Sequence, residues 1–122
     1  MSSQEIPPWL REQLARFEQL QQSLQAILVQ KQQVELEAAE VEKALEELKK
    51  ADQSEPVYKS AGSVLIRVKR DDLLKELEEK KELANTRLLV LSKQESRLRE
   101  NIKELQMKID EAVRGKGQPQ AS

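Results

Sequence analysis

The fold is decided by residues 57–69, which read VYKSAGSVLIRVK. Valine, isoleucine and tyrosine favour extended strands, and Gly62 stands between two runs of such residues, where a tight turn needs a positive φ. The stretch therefore predicts a β-hairpin with Ala61-Gly62 as its two-residue turn.

This turn determines which residues face each other across the hairpin. It pairs Val57 with Ile66 and Lys59 with Val64. Because alternate side chains of a strand point to opposite faces of a sheet, one face carries Val57, Val64, Ile66 and Val68, and the other carries Tyr58 and Leu65.

A hairpin of two strands is only marginally stable by itself, because one sheet face and both strand edges remain uncovered. We expect the missing strands to come from elsewhere, most simply from other subunits. The alternative is a hairpin that packs only on its own helices and leaves its edges unpaired.

Seven-residue apolar repeats flank the hairpin on both sides. In residues 10–48, positions a are Leu10, Phe17, Leu24, Lys31, Ala38 and Leu45, and positions d are Gln13, Leu20, Ile27, Val34, Val41 and Leu48. In residues 74–112, positions a are Leu74, Lys81, Leu88, Glu95, Ile102 and Ile109, and positions d are Leu77, Ala84, Leu91, Leu98, Leu105 and Ala112. A period of this length is typical of a coiled coil. The chain is thus predicted to be mainly α, with two long antiparallel helices joined by a single β-hairpin.

Three charged residues interrupt the repeat at a positions: Lys31, Lys81 and Glu95. If the arms fold back with Leu48 opposite Leu74, Lys31 and Glu95 lie one turn apart across the seam. We hypothesise that Lys31 reaches toward Glu95 and fixes the register of the helices at some cost in stability. The alternative is that both side chains extend past a thin seam into solvent.

Composition excludes several classes of function. The chain has no Cys and no His, which removes thiol nucleophiles, imidazole bases and the usual zinc ligands, and we expect no cofactor. Its net charge of -1 gives no electrostatic drive toward nucleic acid or a membrane surface. The carboxylates lie on exposed helix without an enclosing pocket, so an enzyme is not expected. The N-terminus is polar and apolar runs are short, which makes a cytoplasmic location the expectation.

Residues 57–66 together with the helical opening Leu73-Leu74-Lys75-Glu76-Leu77 closely resemble the hairpin region of beta-class prefoldin subunits. The flanking arms match that family in length and order, from the Ile6-Pro7-Pro8 entry to Arg114. Alpha-class subunits carry two hairpins between their arms, and this chain has room for one. The resemblance predicts a single prefoldin-type domain over residues 1–122, with helical arms at about 8–51 and 71–114, a hairpin at 56–69 and a flexible tail at 115–122.

The resemblance implies a chaperone subunit that works without ATP. In this family, hairpins from two alpha-class and four beta-class subunits form a double β-barrel platform, and unfolded client proteins are held between the arm tips and passed to a group II chaperonin. Carried onto this chain, the residues that build the platform are Val57, Tyr58, Val64, Leu65, Ile66 and Val68, with Gly62 making the turn.

The ends of the arms carry apolar residues that support a binding role independently of the resemblance. Several of them exceed what a two-stranded seam buries, and exposed apolar patches mark interaction surfaces. The predicted client-binding residues are Ile6, Trp9, Leu10 and Leu14 from the first helix and Met107, Ile109 and Val113 from the second. The alternative is that they only staple the helix ends together.

A structural or scaffolding coiled coil that binds one specific partner remains the other candidate function, because helical arms of this type are common adaptors.

Overall fold

The structure is a computed structural model that describes residues 6–117. It contains two helices, α1 (Pro8–Lys50) and α2 (Arg70–Gly117), and between them two strands, β1 (Val57–Ala61) and β2 (Val64–Val68). The strands form an antiparallel two-stranded sheet. The predicted fold class, mainly α with one hairpin between two long helices, is confirmed.

Helix α1 begins and ends as its sequence predicts. The carbonyl oxygen of Pro7 accepts the first helical hydrogen bond from the amide of Arg11 at 2.9 Å. Pro8 therefore occupies the first helical position, where a missing amide donor costs nothing. Lys49 and Lys50 form the last turn, where cations meet the negative end of the helix dipole.

Helix α2 differs from the prediction at its C-terminal end. It begins at Arg70, close to the predicted start, and the carbonyl of Lys69 accepts from the amide of Leu73 at 3.0 Å, which places Asp71 in the first turn. It continues to Gly117 instead of ending at Arg114, and Gly115 does not adopt a positive φ. A glycine costs only about 1 kcal/mol inside a helix, which is too little to end one. The predicted tail at residues 115–122 is therefore helical at its start, and residues 118–122 lie outside the described residues.

The seam follows the seven-residue repeat along both helices. Every a and d position named above is buried or half-buried, including the polar ones. The buried apolar side chains all occupy such positions: Leu10, Val34, Leu45, Leu48, Leu77, Ala84, Leu91 and Leu105. The period of the sequence therefore sets which face of each helix is covered.

The chain divides into two compact units, and one of them is residues 31–90. Within this unit, ion pairs that cross between α1 and α2 include Glu37 with Arg87 at 3.5 Å, Glu42 with Lys81 at 3.2 Å, and Lys49 with Glu78 at 3.8 Å. The partner number falls as the α1 number rises, so the two helices run antiparallel here.

The other unit comprises the chain up to Gln30 and from Leu91 onward. Its two helical segments are also antiparallel, because the groove with later residues of α1 has earlier residues of α2. One groove is lined by Gln13, Arg16 and Leu20 with Asn101, Glu104, Leu105 and Lys108. The next is lined by Ser23, Ala26 and Ile27 with Gln94, Arg97, Leu98 and Asn101.

Lys31 and Glu95 are both half-buried, as is Lys81, the third charged residue of the repeat. Glu95 accepts a hydrogen bond from Nε of Arg99 at 2.8 Å, the four-residue spacing that stabilises exposed helix faces. The proposed attraction between Lys31 and Glu95 stays a prediction.

The hairpin register differs from the predicted one by two residues. Val57 lies opposite Val68, Lys59 opposite Ile66 and Ala61 opposite Val64, so the turn is Gly62-Ser63 rather than Ala61-Gly62. Gly62 has a φ of 62°, and Ser63 is not in the positive region. This is the pattern of a type II′ turn, which needs glycine at its first central position. The predicted turn placed alanine there, where a side chain is disfavoured.

The predicted faces survive the register error. A shift of two residues returns each side chain to the same face, because the strand period is two. One face carries Val57, Lys59, Ala61, Val64, Ile66 and Val68, and the other carries Tyr58, Ser60, Leu65 and Arg67.

Candidate subunit-assembly and client-binding surfaces

The hairpin is attached to the helices at its base through a small apolar cluster. This base cluster consists of Leu45, Leu48 and Leu77, which are all buried. Val57, the first residue of β1, packs against it, together with Val41, Ala44, Leu73 and Leu74. The base of the hairpin is therefore anchored by the same side chains that close the helical seam.

The rest of the hairpin presents apolar side chains to solvent. Leu65 is 71% exposed, and Tyr58, Val64 and Ile66 are each exposed by half or more. Val57 and Val68, at the ends of the strands nearest the helices, are half-buried. The exposed residues lie on both faces of a sheet in which each described strand has only one strand neighbour. The predicted assembly residues are thus brought together on one small element, four of them as open apolar surface.

A hydrogen-bonded ion pair joins the middle of β1 to α2. Nζ of Lys59 donates to Oε1 of Glu76 at 2.7 Å, and Nζ of Lys80 lies 4.0 Å from the other oxygen, Oε2. The hydrogen bond from Lys59, assisted by the charges of Lys59 and Lys80, holds the pKa of Glu76 below its ordinary value against a smaller opposing effect of burial. Glu76 is therefore ionised at neutral pH.

Arg70 connects the start of α2 to the end of α1. Its Nη2 donates to the carbonyl oxygen of Leu48 at 2.6 Å, which satisfies one of the free carbonyls in the last turn of α1. Its other terminal nitrogen, Nη1, is buried without a protein acceptor. The cost of burying this donor offsets part of the stabilisation that the hydrogen bond to Leu48 provides. The two helix ends that carry the hairpin are fixed to each other by this contact.

The connection from α1 to β1 is an ordered turn around Asp52. The amide of Ser54 donates to Oδ1 of Asp52 at 3.1 Å, and the amide of Glu55 donates to the Asp52 carbonyl at 3.0 Å. Hydrogen bonds from the backbone and side chain of Ser54 lower the pKa of Asp52 below its ordinary value. This is the side-chain-to-backbone bonding that makes Asp favourable in turns.

Lys59 and Arg70 make contacts between elements that the sequence did not predict. Lys59 carried a signal, because it is the one charged residue in a strand face otherwise made of Val, Ala and Ile. A charge at such a position calls for a partner. Neither spacing nor composition pointed to Glu76 as the partner of Lys59, or to the Leu48 carbonyl as the acceptor for Arg70.

The predicted client-binding residues fall into two groups. Leu10 is 7% exposed and Ile109 is half-buried; both occupy a positions and belong to the seam. The other five are exposed and form what we call the terminal apolar set: Ile6, Trp9, Leu14, Met107 and Val113. The heptad positions alone could have separated the two groups. Arg11 donates from Nη2 to the carbonyl of Ile6 at 2.9 Å and holds the entry to α1.

Exposed apolar side chains also occur away from the chain ends. Val29, Leu36, Leu83, Leu89 and Val90 are as exposed as the terminal apolar set. Exposure therefore does not by itself single out the terminal residues, and the mid-helix residues offer matched controls for testing them.

Neither a metal centre nor a membrane span is found in the part of the chain that the structure describes. Within it, no three Cys, His, Asp or Glu residues converge as a metal site would require. Neither α1 nor the described length of α2 includes a stretch apolar and long enough to cross a bilayer.

Comparison with known proteins places this arrangement in a family. The model of a family described as "Prefoldin subunit" matches residues 11–116. The prefoldin subunit beta of Archaeoglobus fulgidus is 46% identical over 105 residues, which cover 86% of this chain and 90% of the relative. The prefoldin subunit beta of Thermococcus onnurineus is 41% identical over 111 residues, which cover 91% of this chain and 96% of the relative.

Solved structures agree with the sequence comparison. The crystal structure of the prefoldin beta subunit from Thermococcus strain KS-1 superposes with a TM-score of 0.83 at 40% identity, covering 91% of this chain and 97% of that one. The prefoldin beta2 subunit from the same strain superposes with a TM-score of 0.67 at 22% identity, covering 75% and 97% of the two chains, and this likeness concerns the fold.

Two long helices that carry one open, apolar β-hairpin define a helical subunit with a separate strand element between its arms. The chain belongs to the prefoldin subunit family, and the relatives it matches are beta subunits. Membership in this family implies the role of a chaperone subunit.

Proposed function

We propose that this chain assembles through its hairpin with alpha-class prefoldin subunits and further beta subunits, giving a hexamer of two alpha and four beta subunits. In this assembly it captures unfolded polypeptides at the ends of its helical arms. The observation that carries the proposal is the exposed, apolar hairpin, held at its base but open at both strand edges.

The hairpin has the properties of an assembly element. Its outer part exposes Tyr58, Val64, Leu65 and Ile66. Open strand edges beside apolar side chains are a template for pairing with other strands. A surface of this kind is stabilised when strands of neighbouring subunits cover it, because pairing satisfies the edge amides and carbonyls and burial removes apolar area from water.

The terminal apolar set supports the capture of clients. Trp9 and Met107, about half exposed, supply a large aromatic surface and a flexible, polarizable side chain. Such residues suit partners that differ in sequence, because they adapt their packing without a fixed hydrogen-bond pattern. Independence from ATP, transfer of the client to a group II chaperonin and a cytoplasmic location belong to the proposal by family resemblance.

A paired substitution tests client capture. Trp9→Gln with Met107→Gln removes apolar surface from the ends of the helices without touching the seam, so hexamers should still form. We expect that suppressing the aggregation of a denatured test protein will take a several-fold higher concentration of the variant hexamer than of the wild-type hexamer. Light scattering measures the aggregation.

The matched control is Leu36→Gln with Leu83→Gln. These two side chains are 61% and 59% exposed and lie in the middle of the helices, and we expect this variant to protect the test protein as the wild type does. Full protection by the Trp9 and Met107 variant would contradict the assignment of client binding to the terminal apolar set.

The alternative function, a scaffolding adaptor that binds one specific partner, is favoured by the exposed mid-helix residues Leu83 and Val90. They lie seven residues apart and therefore share one face of α2, as the contact face for a partner helix would. This alternative predicts no protection of an unrelated denatured protein, and no hexamer with an alpha-class subunit.

A further inference from the structure

We propose that Lys59 and Glu76 are positioning residues that fix the angle at which the hairpin leaves the helices, and so present its strand edges in the orientation that assembly needs. This inference rests on the proposed function, because it assigns a role to the pair in the same assembly.

The hairpin is attached to the helices through the first residues of β1. Val57, at the start of β1, packs on the base cluster, which provides one point of attachment. Lys59 lies two residues further along the same strand and on the same face, roughly 6–7 Å away at the usual rise per residue. A strand held at one point can pivot, whereas a strand held at two points has a defined direction.

The second attachment is specific in geometry. The 2.7 Å distance between Nζ of Lys59 and Oε1 of Glu76 is that of a short, charge-assisted hydrogen bond. Glu76 lies in the second turn of α2, next to Leu77 of the base cluster. Lys80 approaches the other carboxylate oxygen and favours the same orientation of the Glu76 side chain. The polar and apolar attachments therefore meet on neighbouring residues of one helix.

The pair is poorly suited to a role in overall stability. Both side chains are more than a third exposed, and exposed ion pairs contribute little to the free energy of unfolding. The direction of the hairpin can matter even where stability does not change. Strands of neighbouring subunits that close into a barrel can pair with a hairpin only if it meets them at a matching angle. Small angular errors in every beta subunit then add up around the assembly.

The chain contains no cysteine, which allows the angle to be measured directly. Cysteines introduced at Ser60 and Glu82, both exposed, place one spin label on the hairpin and one on α2. Electron–electron distance measurements on the isolated full-length chain then report the distribution of hairpin orientations. We expect a narrow distribution in the otherwise unchanged chain and a broader one after Glu76→Gln, while the melting temperature stays within a few degrees.

Charge exchange provides the control. The variant Lys59→Glu with Glu76→Lys also carries Lys80→Gln, because Lys80 lies 4.0 Å from Glu76 and would repel a lysine at position 76. It restores an ion pair at the same place and should narrow the distance distribution again. It should also recover the fraction of hexamer formed with an alpha-class subunit, which we expect to fall at least threefold in Glu76→Gln when measured by native mass spectrometry.

The outcomes separate this inference from the proposed function. Failure of the unsubstituted chain to form hexamers would overturn the proposed function. If the unsubstituted chain forms hexamers and Glu76→Gln leaves both the distance distribution and the hexamer fraction unchanged, the positioning role is wrong. A broadened distribution that charge exchange does not narrow would also overturn it, because the effect would then come from something other than the pair.

Discussion

Replacing Leu45 by alanine should lower the free energy of unfolding of the subunit by about 2–5 kcal/mol, the usual cost of emptying a buried leucine site. Leu45 is 2% exposed and belongs to the base cluster with Leu48 and Leu77. The seam is thin, so few neighbouring side chains can move to fill the space. Urea denaturation followed by circular dichroism measures the change.

Leu36→Ala is the matched control for this prediction. It removes the same atoms from the same helix at a side chain that is 61% exposed. Surface substitutions of this kind usually change stability by about 0.5 kcal/mol or less. Equal losses at the two positions would mean that the seam assigned to the a and d positions does not form in solution.

The Leu45 substitution should also weaken the attachment of the hairpin to the helices. Val57 packs on the same cluster, so a cavity beneath it removes part of the apolar attachment of β1. Amide hydrogen exchange in the strands should therefore accelerate together with that of the neighbouring helix turns, and not in Leu36→Ala.

The second large effect is expected on assembly. Leu65→Asp combined with Ile66→Asp places one carboxylate on each face of the hairpin, at side chains that are open to solvent in the single chain. The isolated subunit should keep its helical content and melting temperature. The hexamer should be lost, because covering the hairpin would bury an unpaired charge whichever face the neighbouring strands use.

The size of the expected loss of assembly follows from the free-energy cost of burying that charge. A cost of about 3 kcal/mol or more corresponds to at least a hundredfold higher concentration for half-assembly. Leu36→Asp with Leu83→Asp adds the same charges at equally exposed helix positions and should assemble normally. Hexamer formation by the hairpin variant at wild-type concentrations would show that the hairpin is not the assembly site.

The sequence predicted the helices and their seam because one simple period determines both. The seven-residue spacing placed even Gln13, Lys31, Lys81 and Glu95 against the seam, where their side chains are half-buried. The faces of the hairpin followed in the same way from the two-residue period of a strand.

Features that depend on a single local conformation were harder to predict. The hairpin register depends on whether Gly62 takes the first or the second central position of the turn. Gly62 has a φ of 62° and the following Ser63 is not in the positive region, which is the pattern expected when glycine comes first. Helix α2 continues to Gly117, past its predicted end at Arg114, because a helix tolerates the modest cost of a glycine such as Gly115.

Contacts between distant residues could not be derived from periodicity. Lys59 and Glu76 are 17 residues apart in sequence, and Arg70 and Leu48 are 22 apart. Their contacts exist because the hairpin folds onto the ends of two helices, which is a three-dimensional arrangement. The heptad positions were enough to separate buried from exposed residues among the predicted client-binding residues. Leu10 and Ile109 occupy a positions, whereas no member of the terminal apolar set occupies an a or d position of the two repeats.

Native mass measurement of the full chain, with and without an alpha-class prefoldin subunit, tests the claim that the hairpin is an assembly site and the helices extend from it. We expect mixing to give a hexamer of two alpha and four beta subunits, and the same mixture with Leu65→Asp and Ile66→Asp to give none. A stable monomer or dimer of this chain that ignores the alpha-class subunit would contradict the claim and favour the adaptor.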